Sequence, residues 1–169
     1  MIELLLVVVG AVLAGIVQTW TAIGTRSREA ESVLTALAGE VGAICRLLRM
    51  LDYRTEIQKL FRQVEMGVHE EAIYYIDIKS DYFSVYHSLS SQLGLLKPAE
   101  VTKLVRFYSY CKTFVDATRP EGVSSEMQGR LKSVTNLRAL TTLHDSILCL
   151  GDEIVQLTKS PSIPDGTRV

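Results

Sequence analysis

Apolar residues recur at helical spacing along almost the whole chain, and no segment alternates with the period of two that marks a half-buried strand. Leu34, Leu37, Val41, Ile44, Leu48 and Leu51 follow each other at steps of 3, 4, 3, 4 and 3, a packing stripe like that of a coiled coil. Val33, Ala38 and Cys45 widen it to the face of a bundle helix. Thr55-Glu56-Ile57-Gln58 has the letters of a capping box that opens a helix with Ile57, Leu60, Phe61, Val64 and Val68 inward. The pattern around Asp52 fits a break or a continuous helix equally, and Gly67 marks a kink. Tyr74 to Lys79 has strand-like side chains but no evident pairing partner.

Asp81 is placed to cap a short helix carrying Tyr82, Val85, Tyr86, Leu89 and Leu93. Gly94-Leu95 reads as its left-handed stop. Pro98 suits the first position of the next helix, with Glu100 in its first turn. Val101, Leu104, Val105, Tyr108, Cys111 and Val115 form its inner face, and the helix ends before Arg119-Pro120. Ser125-Glu126-Met127-Gln128 is a second capping box, opening a long helix to about Lys159 with Leu143, Ile147, Leu150, Ile154 and Leu157 as its seam. The expected fold is all-α: an N-terminal transmembrane helix over residues 1–25, an antiparallel bundle of four or five helices over 26–159, and a disordered tail over 160–169.

The anchor follows from the absence of charge between Glu3 and Arg26. A helix over Leu4–Thr25 reaches about 33 Å, against a hydrocarbon core of about 30 Å. A cleaved signal peptide is the rival reading, but the start Met-Ile-Glu carries no positive side chain and no small-x-small cleavage site follows. Trp20 falls at headgroup level. Arg26 and Arg28 follow the span, which places the body in the cytoplasm and the N-terminus outside. Gly10 with Ala14, and Ala11 with Gly15, make a small-residue face through which two spans can approach.

Composition narrows the function. The chain has 169 residues, 18 Lys and Arg, 19 Asp and Glu, and a formal net charge of -1. That balance argues against nucleic acid as a partner. Three widely spaced cysteines do not make a disulfide framework. No glycine-rich phosphate loop and no C-x-x-C occurs. His69-Glu70-Glu71 lacks the second histidine of a zinc helix, and Glu65 beside His69 has no matching motif of the di-iron kind. His144 and Asp145 are sequence neighbours, about 100° apart on a helix, and so are not a natural relay. Ser109 to Lys112 matches S-x-x-K without its companion motifs. The basic group Arg46, Arg49, Arg54, Lys59 and Arg62 reads first as a solvated face, with an acidic partner as the alternative. No catalytic residue, cofactor, metal or small-molecule substrate is expected.

Nine of the twelve aromatic residues lie between Tyr74 and Phe114. Tyrosine is enriched at protein interfaces, so Tyr75, Tyr82 and Tyr110 are the candidate partner surface. The run Asp81-Tyr82-Phe83-Ser84-Val85-Tyr86, then Leu93-Gly94-Leu95-Leu96, then Val105-Arg106-Phe107-Tyr108 and Lys112, resembles uncharacterised bacterial single-span membrane proteins with an N-terminal anchor and a helical cytosolic body. The resemblance implies an anchored helical protein of a bacterial inner membrane and brings no activity with it. The expected function is a non-enzymatic, membrane-anchored module whose partners are the lipid bilayer and another protein or itself. The alternatives are a self-assembling membrane complex, such as a pore or stress-response effector, and an enzyme whose site the sequence hides.

Overall fold

A computed structural model describes the backbone of residues 2–68, 80–118 and 130–159, and the side chains within them except those of 2–17, 19, 22, 80, 81 and 130–133. The described residues are all helical or in short turns, with no strand. The α-helices are α1 (Ile2–Met50), α2 (Tyr53–Glu65), α3 (Ser84–Leu89), α4 (Pro98–Thr118) and α5 (Arg130–Lys159), and 3₁₀ turns flank α3 at Ser80–Phe83 and Ser90–Leu95.

α1 is one unbroken helix that carries both the uncharged N-terminal stretch and the first seam of the bundle. At the junction, the hydroxyls of Thr21 and Thr25 donate to the carbonyls of Gln18 and Thr21 at 2.9 and 2.8 Å, so these polar side chains are satisfied along the helix itself. Among the described side chains no helix is long and apolar enough to cross a membrane. The anchor expected over residues 1–25 is therefore not supported by them. Its aliphatic part, 4–17, and the face Gly10, Ala11, Ala14 and Gly15 lie outside the described side chains.

The chain does break at Asp52, which sits in the left-handed region at φ 47°, a conformation that aspartate tolerates better than most residues. The capping box at Thr55 does not form. α2 starts two residues earlier, and the Thr55 hydroxyl donates to Asp52 Oδ1 at 2.9 Å. Gly67 is a helix stop and not a kink. With φ 75° it closes a Schellman turn, in which Val68 N–H bonds Gln63 O at 3.0 Å and Gly67 N–H bonds Val64 O at 3.1 Å.

α5 is the spine. Arg49 pairs with Asp152, Arg54 with Asp145, and Arg138 lies over the Phe61 ring, so α1 and α2 run one after the other, antiparallel to α5. Lys103 pairs with Glu153 and Phe114 meets the His144 ring, so α4 also runs antiparallel to α5. The shared core includes Leu37, Val41, Ile57, Leu104, Phe107, Phe114, Leu137, Ile147 and Ile154. Gly151 makes the close approach possible: a Cβ there would collide with Cys45 Sγ and come within 3.1 Å of Phe107 Cε2.

Several inward assignments change. Leu51 is half exposed because α1 stops at Met50, and Val105 and Val68 also face outward. Gly94 is not a left-handed stop. It lies inside a 3₁₀ turn, and the chain becomes extended at Leu96, just before Lys97 and the Pro98 that starts α4. At that start the Glu100 carboxylate accepts the Lys97 N–H at 2.9 Å, half of a capping box. The box at Ser125, residues 74–79 and the tail 160–169 lie outside the described residues.

Candidate functional site

The end of α1 does not close completely against its neighbours. A cleft of about 80 Å³ opens there. Ile44, Leu47, Leu48 and Leu51 of α1 form one side. Cys111, Phe114 and Val115 of α4, with Ile147 of α5, form the floor and the opposite side. Tyr53 of α2 and the pair Tyr82-Phe83 before α3 complete the wall. The break at Asp52 creates the opening, because α1 ends one residue short of carrying Leu51 into the core. Leu51 is 50% exposed and Tyr82 43%, so the mouth is largely apolar as well as the lining. Only the phenol groups of Tyr53 and Tyr82 offer polar atoms among the lining side chains, apart from the Cys111 thiol.

Of the expected partner tyrosines, Tyr82 is at this mouth. Tyr110 is half-buried, and its hydroxyl accepts from Arg106 Nε at 2.8 Å while the Arg106 guanidinium lies 5.2 Å from its ring centre. It is tied to its own helix and does not join Tyr82 in the cleft. Tyr75 lies outside the described residues. Trp20, at 76% exposure, and the exposed Arg26 and Arg28 stand on the part of α1 that precedes the bundle.

The most connected polar group was missed by sequence reasoning. Glu40 is half-buried on α1. Its Oε1 accepts the Val85 N–H at 2.8 Å, and its Oε2 accepts the Tyr86 N–H at 3.0 Å and the Tyr108 hydroxyl at 2.6 Å. Around it Tyr86 stacks on Tyr108 with ring centres 3.9 Å apart, and Phe83 meets Tyr108 edge-on at 5.6 Å. Burial raises the Tyr108 phenol well above its usual range, and the hydrogen bond and charge of Glu40 add to it. The available signal was a carboxylate three residues after Leu37 and four before Ile44, on the margin of an apolar stripe.

Among the described residues the titratable candidates do not assemble, and His69-Glu70-Glu71 lies outside them. His144 is buried beside Phe114, whereas His87 is exposed beside Tyr86. His144 Nδ1 does come within 3.4 Å of Asp145 Oδ1, closer than helical spacing led us to expect, and its Nε2 has no hydrogen-bond partner among the described residues. Asp145 is itself engaged by Arg54 at 3.2 Å. Burial raises the Cys45 thiol to about 11, with Arg49 opposing, and raises Cys111 further. Both are therefore packed thiols and not thiolate nucleophiles at neutral pH. Ser109 and Lys112 face outward on α4, with Lys112 paired to Asp116. Within the basic group Arg49, Arg54 and Lys59 have acidic partners on the protein itself. Among the described residues no group of three or more His, Cys, Asp or Glu side chains could hold a metal ion.

These features define a helical bundle with an apolar cleft. No protein-family model, no curated protein and no solved structure matches the chain.

Proposed function

We propose that the protein is a membrane-anchored helical module that binds another protein through the cleft at the end of α1. The cleft carries this reading: an apolar recess with an exposed apolar mouth is the form that receives a hydrophobic side chain of a partner. Its polar content is too small to orient a reacting substrate. The anchor is the uncharged stretch 4–25, with Trp20 at the headgroups and Arg26 and Arg28 on the cytoplasmic side of a bacterial inner membrane. Trp20 and Ile23, exposed among the described residues, support it. The unbroken α1 then sets the height of the cleft. Leu51 lies 26 residues beyond Thr25, about 39 Å along the helix.

A photo-crosslinking residue at position 82 tests the reading in native membranes, with position 105 on the opposite side of α4 as the control. A different protein captured from position 82 alone, and lost in Leu51→Asp, is the expected result. Capture of the chain's own copies only, lost when residues 1–25 are removed, would replace this reading by self-assembly through the span. Equal capture from both positions would exclude the cleft as the contact.

A further inference from the structure

The wall of the cleft is held from a distance. α3 has six residues and none of them is buried, which is too short to persist as a helix on its own. Its N-cap position is Phe83, whose side chain makes no capping bond. The first amides of the helix would be orphaned but for Glu40, which reaches across from α1 and accepts the N–H groups of Val85 and Tyr86, one on each oxygen. The same carboxylate receives the Tyr108 hydroxyl from α4. It thereby ties three elements at one point. Tyr82 and Phe83, which line the cleft with Cys111, are separated by Ser84 alone from the amides that Glu40 holds.

We infer that Glu40 is a latch: it holds the strap Ser80–Leu95 against α1, and release of the strap removes the Tyr82-Phe83 wall and opens the cleft. The latch is a positioning device for the binding site, and its regulatory meaning rests on the function proposed above. The strap packs chiefly on α1 and within itself, with Phe83 and Tyr86 also against Tyr108 of α4, while α1, α2 and α4 each pack on α5. Loss of the latch therefore leaves the strap held only by its half-buried side chains and rings, and leaves the α1–α2–α4–α5 core in place. Glu40 also belongs to the same uninterrupted helix as the N-terminal stretch, so a rotation or shift of α1 is delivered directly to the latch.

The three cysteines report on this without any partner. Cys149 is exposed, Cys111 is buried in the cleft, and Cys45 is buried against α5 beside Gly151. The full chain in lipid nanodiscs is alkylated with N-ethylmaleimide, and each site is timed by mass spectrometry. In the wild type Cys149 reacts fast and the other two slowly. In Glu40→Ala, Cys111 is expected to react about tenfold faster or more, with Cys45 unchanged, as for a local opening. Glu40→Gln keeps an oxygen that can accept and is expected to fall between. Tyr108→Phe leaves both amide bonds and is expected to change the Cys111 rate least. An unchanged Cys111 rate in Glu40→Ala overturns the latch. So does a parallel rise at Cys45, because the whole bundle then opens together. Either outcome leaves the crosslinking test at position 82 independent, so a failed latch and a failed partner site are told apart.

Discussion

Two regions of this protein are held in order by different means. The α1–α2–α4–α5 core is fixed by area: Leu37, Val41, Ile57, Leu104, Phe107 and Ile154 are all 0% exposed, and they come from all four helices. The strap Ser80–Leu95 fully buries no residue in α3 or in the turn that follows it, and it is held by one carboxylate, ring contacts and half-buried side chains such as Leu89 and Leu93. The two regions therefore respond differently to change. Core packing is spread over many contacts and fails globally, whereas the strap has one polar tie and a few half-buried contacts and is expected to open alone. A cleft walled partly by the strap inherits that sensitivity.

The largest effect is expected from deleting a core ring. Phe107→Ala removes a fully buried side chain between α4 and α5 and should cost about 4 kcal/mol. Denaturant unfolding of the full chain in detergent measures it, and the strap should be lost in the same transition. Next comes Gly151→Ala. Alanine gains about 1 kcal/mol of helix propensity over glycine, but the new methyl collides with Cys45 Sγ and presses Phe107, an overpacking cost of about 1–3 kcal/mol. The net should be destabilising by about 1 kcal/mol, and Cys45→Ala in the same chain should remove the clash and reverse the sign. No reversal would mean that the close approach of α1 and α5 is not what the glycine serves. Glu40→Ala should lower global stability by no more than about 2 kcal/mol, the usual range for a lost cap, because its effect is concentrated in the strap.

Alkaline pH separates the regions in another way. Cys45, Cys111 and Tyr108 all bind their protons more tightly in the folded chain, chiefly through burial. The stability this gives is complete below the unfolded thiol value of 9.0 and is lost as pH rises toward and through about 11 for Cys45. The melting temperature should therefore fall above pH 9, and Cys45→Ala should flatten part of that fall. The smallest effect belongs to the surface pairs. Breaking Lys103–Glu153, 2.7 Å apart but with both side chains well exposed, should cost about 0.5 kcal/mol or less, and less still in high salt.

The core was largely legible in the sequence because it follows a helical period. Leu37, Val41, Ile44 and Leu48 of α1 and Ile147, Leu150 and Ile154 of α5 are buried at the spacing the pattern gave. Pro98 and Glu100 mark the start of α4 through local chemistry that proline and a first-turn carboxylate always carry. What was hidden is what depends on distant neighbours. Asp81 looked like the cap of α3, but the cap is Glu40, 45 residues before Val85. The segment read as one short helix is a six-residue helix between two 3₁₀ turns, where the Ser88 and Ser90 hydroxyls bond back to the carbonyls of Val85 and His87. Phe107, Phe114 and Thr118 are buried although the stripe chosen on α4 left them out, because α4 packs on α5 as well as against Tyr53 and the strap. Tyr110 looked free and is held by Arg106 four residues earlier, a pairing that adjacent turns of a helix favour. The cleft follows from the left-handed Asp52, and nothing in the local sequence separates that break from a helix that runs on.

Amide hydrogen exchange on the full chain in nanodiscs tests the difference between the two regions most directly. The α3 amides, Val85 and Tyr86 among them, should exchange about a hundredfold faster than those of Leu104 to Cys111 and Ile147 to Ile154, through a local opening that does not follow global stability. In Glu40→Ala the gap should widen while the core amides stay protected. Equal protection of α3 and the core in the wild type would make the strap an integral part of the bundle and contradict the account.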